Sequence, residues 1–396
     1  LTGATPTMAY TVSAAAAAIW LFPASAAILT WTLLRPRLCR RGREEQKGQW
    51  RTAVAAATAG AIAASFTAVP YVEFDVAAMP NLVAYGLAVP AFALVIATPR
   101  HRDRIPLAVL ALVGVLSVHI TGGVVTVLLV GAWWLIECLR NPVRGRVTDF
   151  VTLMIVAVPT ALIMLPQFLT VADQADIIAG HAFIDDLGRK RSLFVAIVQH
   201  TRHLNDYPIQ DLLIGLAALG GLILLIQKIW WPLAVWLLFI VAIVHSGAPF
   251  GGPLGAVIGN FSDLFYNDPL RLSAVVTMLY APMAAIGLTS LVVAVMASLR
   301  RVTDRETPIR AVAAGLLVVM TVGLAWHYFP RHKFLFGEKY DSVMIDIKDL
   351  EAFAYLAALP DARTTTIGNA NTDGTAWMYA VQGLHPLWTH YDYPVQ

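Results

Sequence analysis

Glu73 and Asp75 lie two residues apart in the link Tyr71-Val72-Glu73-Phe74-Asp75, between two long apolar runs. Two carboxylates so placed at a membrane surface suit a divalent cation or the activation of a hydroxyl nucleophile. A solvated loop would use the same residues. A second group is Phe265-Tyr266-Asn267-Asp268-Pro269-Leu270-Arg271. Asp268 and Arg271 are three apart, so they can form an ion pair on one helix turn, with Pro269 at the first helical position. There Arg271 can clamp a phosphate, and Asp268 can position an acceptor hydroxyl or act as a base. A capped helix start with an aromatic anchor would look the same in sequence.

A third group is Asn369-Ala370-Asn371-Thr372-Asp373-Gly374-Thr375-Ala376-Trp377-Met378-Tyr379. It reads as a strand-to-helix turn, with Asn371 or Thr372 capping a helix that runs from Asp373 to about Gln382. A helix N-terminus favours anions such as phosphate, and Trp377 and Tyr379 can stack on a sugar ring. Turns and caps also prefer Asn and Asp for their own sake. Trp377 and Tyr379 are two apart and cannot share a helix face, so one of them, Trp377, is expected to pack inward. The histidines are scattered. His119 and His245 sit at span ends, and His181 shares a loop with Asp173, Asp176, Asp185 and Asp186. A metal needs three or four converging ligands, and neither H-E-x-x-H nor C-x-x-C occurs, so no metal site is assigned. Cys39 and Cys138 suggest neither a metal nor a disulfide.

The elements that must carry these residues are membrane spans. Of 396 residues, 58% are hydrophobic and 13% charged, against roughly 25% charged in a soluble domain. Lipid must cover part of so apolar a surface. A bilayer core needs about 20 apolar residues as a helix. Ten segments qualify, near 10–34, 52–70, 81–98, 105–120, 122–139, 149–170, 209–227, 229–246, 272–298 and 309–328. Eighteen of the 28 Lys and Arg fall in the gaps at 35–51, 99–104, 140–148, 228 and 299–310, while 18 of the 25 acids fall on the other side. Cytoplasmic loops are enriched in Lys and Arg. The basic gaps are therefore expected inside, and both chain ends and all three candidate groups outside. Charge within the spans is nearly absent, which lowers the expectation of a proton-coupled carrier or voltage sensor. The chain opens on Leu1 and reads as a piece of a longer protein.

The expected architecture is an α-helical polytopic membrane protein with a membrane domain at 1–328 and a small extracytoplasmic α/β module at 329–396. In that module a helix is expected from Asp346 to Leu359, then strands at Thr364–Ile367 and His385–Tyr393 on either side of the second helix.

The order of Met79-Pro80-Asn81-Leu82, His119-Ile-Thr-Gly, Phe265 to Arg271 and Asn371 to Tyr379, followed by Gly383 and His385, resembles a family of uncharacterised polytopic membrane proteins from actinobacteria. That family is similar in layout to the GT-C glycosyltransferases of cell-envelope assembly. The resemblance implies a plasma-membrane enzyme with an outward-facing site, a polyprenyl-phosphate sugar donor and a cell-envelope glycan or lipid acceptor. Such enzymes usually place a catalytic acid in the first outer loop, which here would lie before Leu1. On this reading Glu73, Asp75 and Asp268 are the candidate catalytic residues, and Arg271, Asn267, His119, Asn371, Asp373 and Trp377 the candidate substrate-binding residues. The lipid bilayer is the other expected partner, and nucleic acid is not expected. An envelope-lipid transporter or flippase, or a non-catalytic membrane scaffold, stays open beside it.

Overall fold

The computed structural model describes residues 6–38, 43–75, 78–173, 187–199, 208–299, 306–336, 345–370 and 373–389. The chain divides into two compact units, one of Ala17–His332 and one joining Leu1–Ala16 to Lys333–Gln396.

Helix α1 (Pro6–Ala16) belongs to the smaller unit. The larger unit contains α2 (Phe22–Leu38), α3 (Arg43–Ala63), the single turn α4 (Glu73–Asp75), α5 (Met79–Ala97), α6 (Ile105–Val118), α7 (Ile120–Trp133) and α8 (Arg146–Asp173). It continues through α9 (Arg189–Val198), α10 (Asp211–Ile226), α11 (Trp231–Gly247), α12 (Gly252–Asp263), α13 (Pro269–Leu299) and most of α14 (Glu306–Phe336). Among the described residues six helices are long and apolar enough to cross a membrane, or seven if one bent pair counts as a span. The chain is thus an α-helical, multi-pass membrane protein. A helix is present at each of the ten anticipated segments, but α6 has only 14 residues and α10 only 16.

The segment anticipated at 52–70 also differs. Helix α3 stops at Ala63, and residues 65–72 form a largely buried strap leading into α4, extended at Phe66 and with a helical turn over Thr67–Val72 that is itself broken at Val69. Val69 precedes Pro70 and is extended (φ −136°, ψ 131°), because proline excludes its neighbour from the helical region. Irregular backbone at membrane depth survives only where protein or a polar cavity satisfies it. The gap at 247–271 between two anticipated segments contains a helix. This is α12, which meets α11 at an angle of 101° across a break at Ala248–Gly251.

Helix α13 is the hub. Every residue from Leu272 to Leu288 is buried, as expected of a helix apolar on all sides. It lies against α2, α3, α10 and α11. Its approach to α10 is closest at two glycines. A Cβ on Gly220 would stand 1.8 Å from the Met283 carbonyl oxygen, and one on Gly287 would stand 2.2 Å from that of Leu216. Close backbone approach of this kind replaces the hydrophobic effect as the packing force inside a bilayer. Large side chains such as Leu162 on α8 and Trp326 on α14 stay exposed, on faces suited to lipid.

The loops sort by end. Arg144 donates to the Arg100 carbonyl at 3.4 Å, and the Arg140 guanidinium lies 4.9 Å from the Trp230 ring centre. Three of the basic gaps therefore meet at one end. The starts of α5, α7 and α13 meet at the other.

In the smaller unit α15 (Ile347–Ala358) opens with a reciprocal cap, Asp346 accepting from the Lys348 and Asp349 N–H groups while Asp349 accepts from Asp346 N–H. Strand β1 (Thr366–Ile367) pairs in parallel with β2 (His385–Pro386). Between them α16 (Trp377–Gln382) ends on Gly383 at φ +68°. Phe353, Ala362, Met378 and Leu384 form the core of this part. Strand β1 is shorter than anticipated, β2 ends at Pro386 among the described residues while 390–393 of the anticipated strand lie outside them, and α16 starts four residues later than the sequence suggested.

Candidate functional site

Glu73 follows the buried strap and opens the turn α4. Its side chain is 0% exposed, and neither carboxylate oxygen has a hydrogen-bond partner. The side chain is therefore not that of a solvated loop. Burial pushes its pKa up to about 8, against the opposing pull of the Arg271 charge and with a smaller push from Asp268. The backbone of Asp75 closes the same turn, while its side chain lies outside the described residues.

Asp268 and Arg271 meet as their spacing implied. The Arg271 Nε stands 3.7 Å from Asp268 Oδ2. The other Asp268 oxygen accepts the Leu270 N–H at 2.9 Å, so this residue both caps α13 and neutralises Arg271. The Arg271 guanidinium lies 3.9 Å from the Tyr266 ring centre, a cation–π contact. Its Nη1 is buried and has no hydrogen-bond partner. Tyr266 and Asn267 take φ of +59° and +48°, a left-handed turn that Asn tolerates well. Asn267 holds the turn: its Oδ1 accepts from Ser262 Oγ at 2.7 Å and its carbonyl from Ser246 Oγ at 2.6 Å.

His119 caps α7. Its Nδ1 accepts the Thr121 N–H at 3.3 Å and stands 2.7 Å from Thr121 Oγ1. The Thr121 hydroxyl donates to Asn81 Oδ1 on α5 at 2.9 Å. Burial lowers the His119 pKa to about 4, and the Arg271 charge adds to the shift. One α5 turn further, Tyr85 OH donates to the Arg271 carbonyl at 3.5 Å. Glu73, His119, Asp268 and Arg271, read from three separate stretches of sequence, thus form one electrostatic group around Arg271.

Sequence reasoning missed Tyr85 and Thr121, which look like ordinary span residues. It also missed a polar cluster behind the strap. Gln210 accepts the Thr67 N–H at 3.0 Å and donates to the Ser65 carbonyl at 2.7 Å. Arg331 Nε donates to Thr67 Oγ1 at 2.9 Å, and its Nη1 donates to the Pro208 carbonyl. The His332 ring stacks on Tyr71 at 3.9 Å. Arg331 and His332 are both buried in α14, which continues past the anticipated span end at 328. An Arg-His pair after a long apolar run was the available signal.

In the smaller unit, Asp373 is exposed. Its Oδ1 accepts from the Thr375 hydroxyl at 2.6 Å and N–H at 3.0 Å, and these bonds hold its carboxyl below the usual range. It does not start α16, whose cap position is Ala376. Asn371 and Thr372 lie outside the described residues, as do His181, Asp176, Asp185 and Asp186. Neither aromatic packs inward. Trp377 and Tyr379 are exposed, and Met378 between them fills the core. Asn369 instead carries structure, its amide exchanging two hydrogen bonds with the Trp388 backbone at 2.8 and 3.0 Å. Among the described residues no group of three His, Cys, Asp or Glu side chains gathers as a metal site would require.

Residues 1–396 match the DUF6541 family, a family of unknown function, and the chain belongs to it. No curated protein and no solved structure matches the chain.

Proposed function

From membership of a family defined without an activity, and from the buried group around Arg271, we propose that the chain is a GT-C-like membrane glycosyltransferase. It takes a sugar from a polyprenyl-phosphate carrier and modifies a cell-envelope glycan or lipid at the end of the membrane domain opposite the basic loops. The observation that carries this is the Glu73 carboxylate, fully buried with both oxygens free of partners, beside an arginine whose Nη1 is also free. A buried carboxyl without hydrogen bonds is costly, and groups with pKa values perturbed in this way cluster at functional sites.

The chemistry follows from those two groups. Ionised Glu73 takes the proton of an acceptor hydroxyl. The hydroxyl oxygen then bonds to the anomeric carbon as the bond from that carbon to the donor phosphate breaks. The departing polyprenyl phosphate gains a negative charge, and Arg271 offsets it. Asp268 keeps Arg271 oriented through their 3.7 Å pair. Asp75 stays a further catalytic candidate, and Asn267, His119, Asn371, Asp373 and Trp377 stay candidates for substrate binding.

The test is transfer of radiolabelled sugar from polyprenyl-phosphate sugars to envelope glycans by the purified chain in liposomes. Transfer by the wild type, abolished in Glu73→Gln and reduced in Arg271→Gln, supports the reading. Equal transfer by wild type and Glu73→Gln overturns it. The second reading is a carrier of envelope lipids, supported by the 101° break between α11 and α12, since transporters build their sites on broken helices. Movement of fluorescent lipid between leaflets without sugar transfer would favour it.

A further inference from the structure

The strap that delivers Glu73 is held from behind by side chains remote in sequence. Gln210 grips its backbone at two points, Thr67 N–H and Ser65 C=O. Arg331 grips the Thr67 hydroxyl, and His332 Nε2 stands 3.4 Å from the same oxygen. Tyr71 lies on the His332 ring and donates to the Ala64 carbonyl at 2.9 Å. Ser65, Thr67, Gln210, Arg331 and His332 are all buried. Polar groups are costly inside a membrane protein, and this cluster spends its hydrogen bonds on irregular backbone six residues before Glu73.

We propose that Gln210, Arg331 and Thr67 form a clamp that positions Glu73 away from water, so that loosening the clamp changes how readily Glu73 gives up its proton. This rests on the reading of Glu73 as the working carboxylate. The charged and titratable groups facing Glu73 are Arg271 from α13, Asp268 at its cap and Tyr85 from α5. Those facing the clamp are Arg331 and His332 from α14 and Tyr71 on the strap itself. The adjacent Asp211 is engaged by Tyr328 OH at 3.2 Å. None of the Glu73 neighbours belongs to the clamp, so the clamp acts by where it holds the carboxylate rather than by charge.

The experiment uses N,N′-dicyclohexylcarbodiimide, an apolar reagent that adds to protonated carboxyls. Labelling of the intact chain in liposomes is followed against pH, and the Glu73 adduct is read by peptide mass spectrometry with Glu73→Gln as blank. Wild-type labelling should fall to half near pH 8. In Gln210→Ala and Thr67→Val, water reaches the carboxylate and the midpoint should drop by about one pH unit or more. Thr67→Ser keeps the hydroxyl and should keep the wild-type midpoint. A merely structural cluster would lower the melting temperature and leave the midpoint of the folded protein unmoved. An unmoved midpoint in Gln210→Ala and Thr67→Val, or an equal drop in Thr67→Ser, overturns the proposal. Gln210→Asn, which draws the amide back by one methylene, is read in the same way should Gln210→Ala not fold. The readout needs no sugar donor. A shifted midpoint without any sugar transfer would keep the clamp and remove the transferase reading.

Discussion

A carboxylate with no hydrogen-bond partner and no solvent exposure costs free energy when it ionises, and that cost makes the contribution of Glu73 to stability depend on pH. The Glu73 pKa is raised in the folded state to about 8, so the folded state binds the proton more tightly than the unfolded chain. Stability from this residue is therefore fully present below the unfolded carboxylate value, falls as pH rises, and is lost by about pH 8. Glu73→Gln removes the titration. It should melt at a temperature close to wild type at pH 5 and above wild type at pH 8, as scanning calorimetry in detergent would read. A wild type no less stable at pH 8 would mean that Glu73 is solvated. At Asp268 the two roles separate by substitution. Asp268→Asn keeps an oxygen for the Leu270 N–H but leaves the Arg271 charge without its counter-ion, so it should lower melting and weaken anion binding through a misoriented Arg271. Asp268→Ala also loses the cap, at about 1 kcal/mol. Equal melting of the two variants would remove the capping role. The Asp268–Arg271 pair was legible because a three-residue spacing behind proline is a local rule. The burial of Glu73 was not, because it depends on Gln210 and Arg331, which no local rule brings to the strap.

At the scale of elements, most helices could be read from apolar length, and the exceptions share one cause. The strap, the α11–α12 break and the late start of α16 each replace anticipated regular structure with polar contacts from distant residues or with turns built on Pro, Gly and Asp. Apolar counting sees none of those. The α10–α13 contact was equally hidden, since Gly220 and Gly287 look like two weak points in apolar helices until their backbones meet. Gly287→Ala and Gly220→Ala should each destabilise by about 1–3 kcal/mol through overpacking. Gly131→Ala, where an added Cβ meets nothing within 4 Å, should be neutral or slightly stabilising. Equal melting of all three variants would show that α10 and α13 do not touch at these positions.

For the whole molecule, charge layout carried more than any motif. It separated loops that the structure indeed gathers at opposite ends, with Arg100, Arg140 and Arg144 at one and Glu73, His119 and Arg271 at the other. On the proposed reading, the positive-inside tendency would put the buried site toward the outer face. In a background of Cys39→Ala and Cys138→Ala, a cysteine at Arg102 should resist a membrane-impermeant maleimide added to intact cells, and one at Asp185 should react. The reverse pattern would invert the account. The central claim is that Glu73 works as a base from the face opposite the basic loops. The measurement that reaches it most directly is the sugar-transfer rate in sealed, oriented liposomes with the pH of each side varied alone. The rate should follow only the pH on the side away from Arg102, rising tenfold per unit and levelling off near pH 8. A rate that follows the Arg102 side, or one already level at pH 6, would contradict it.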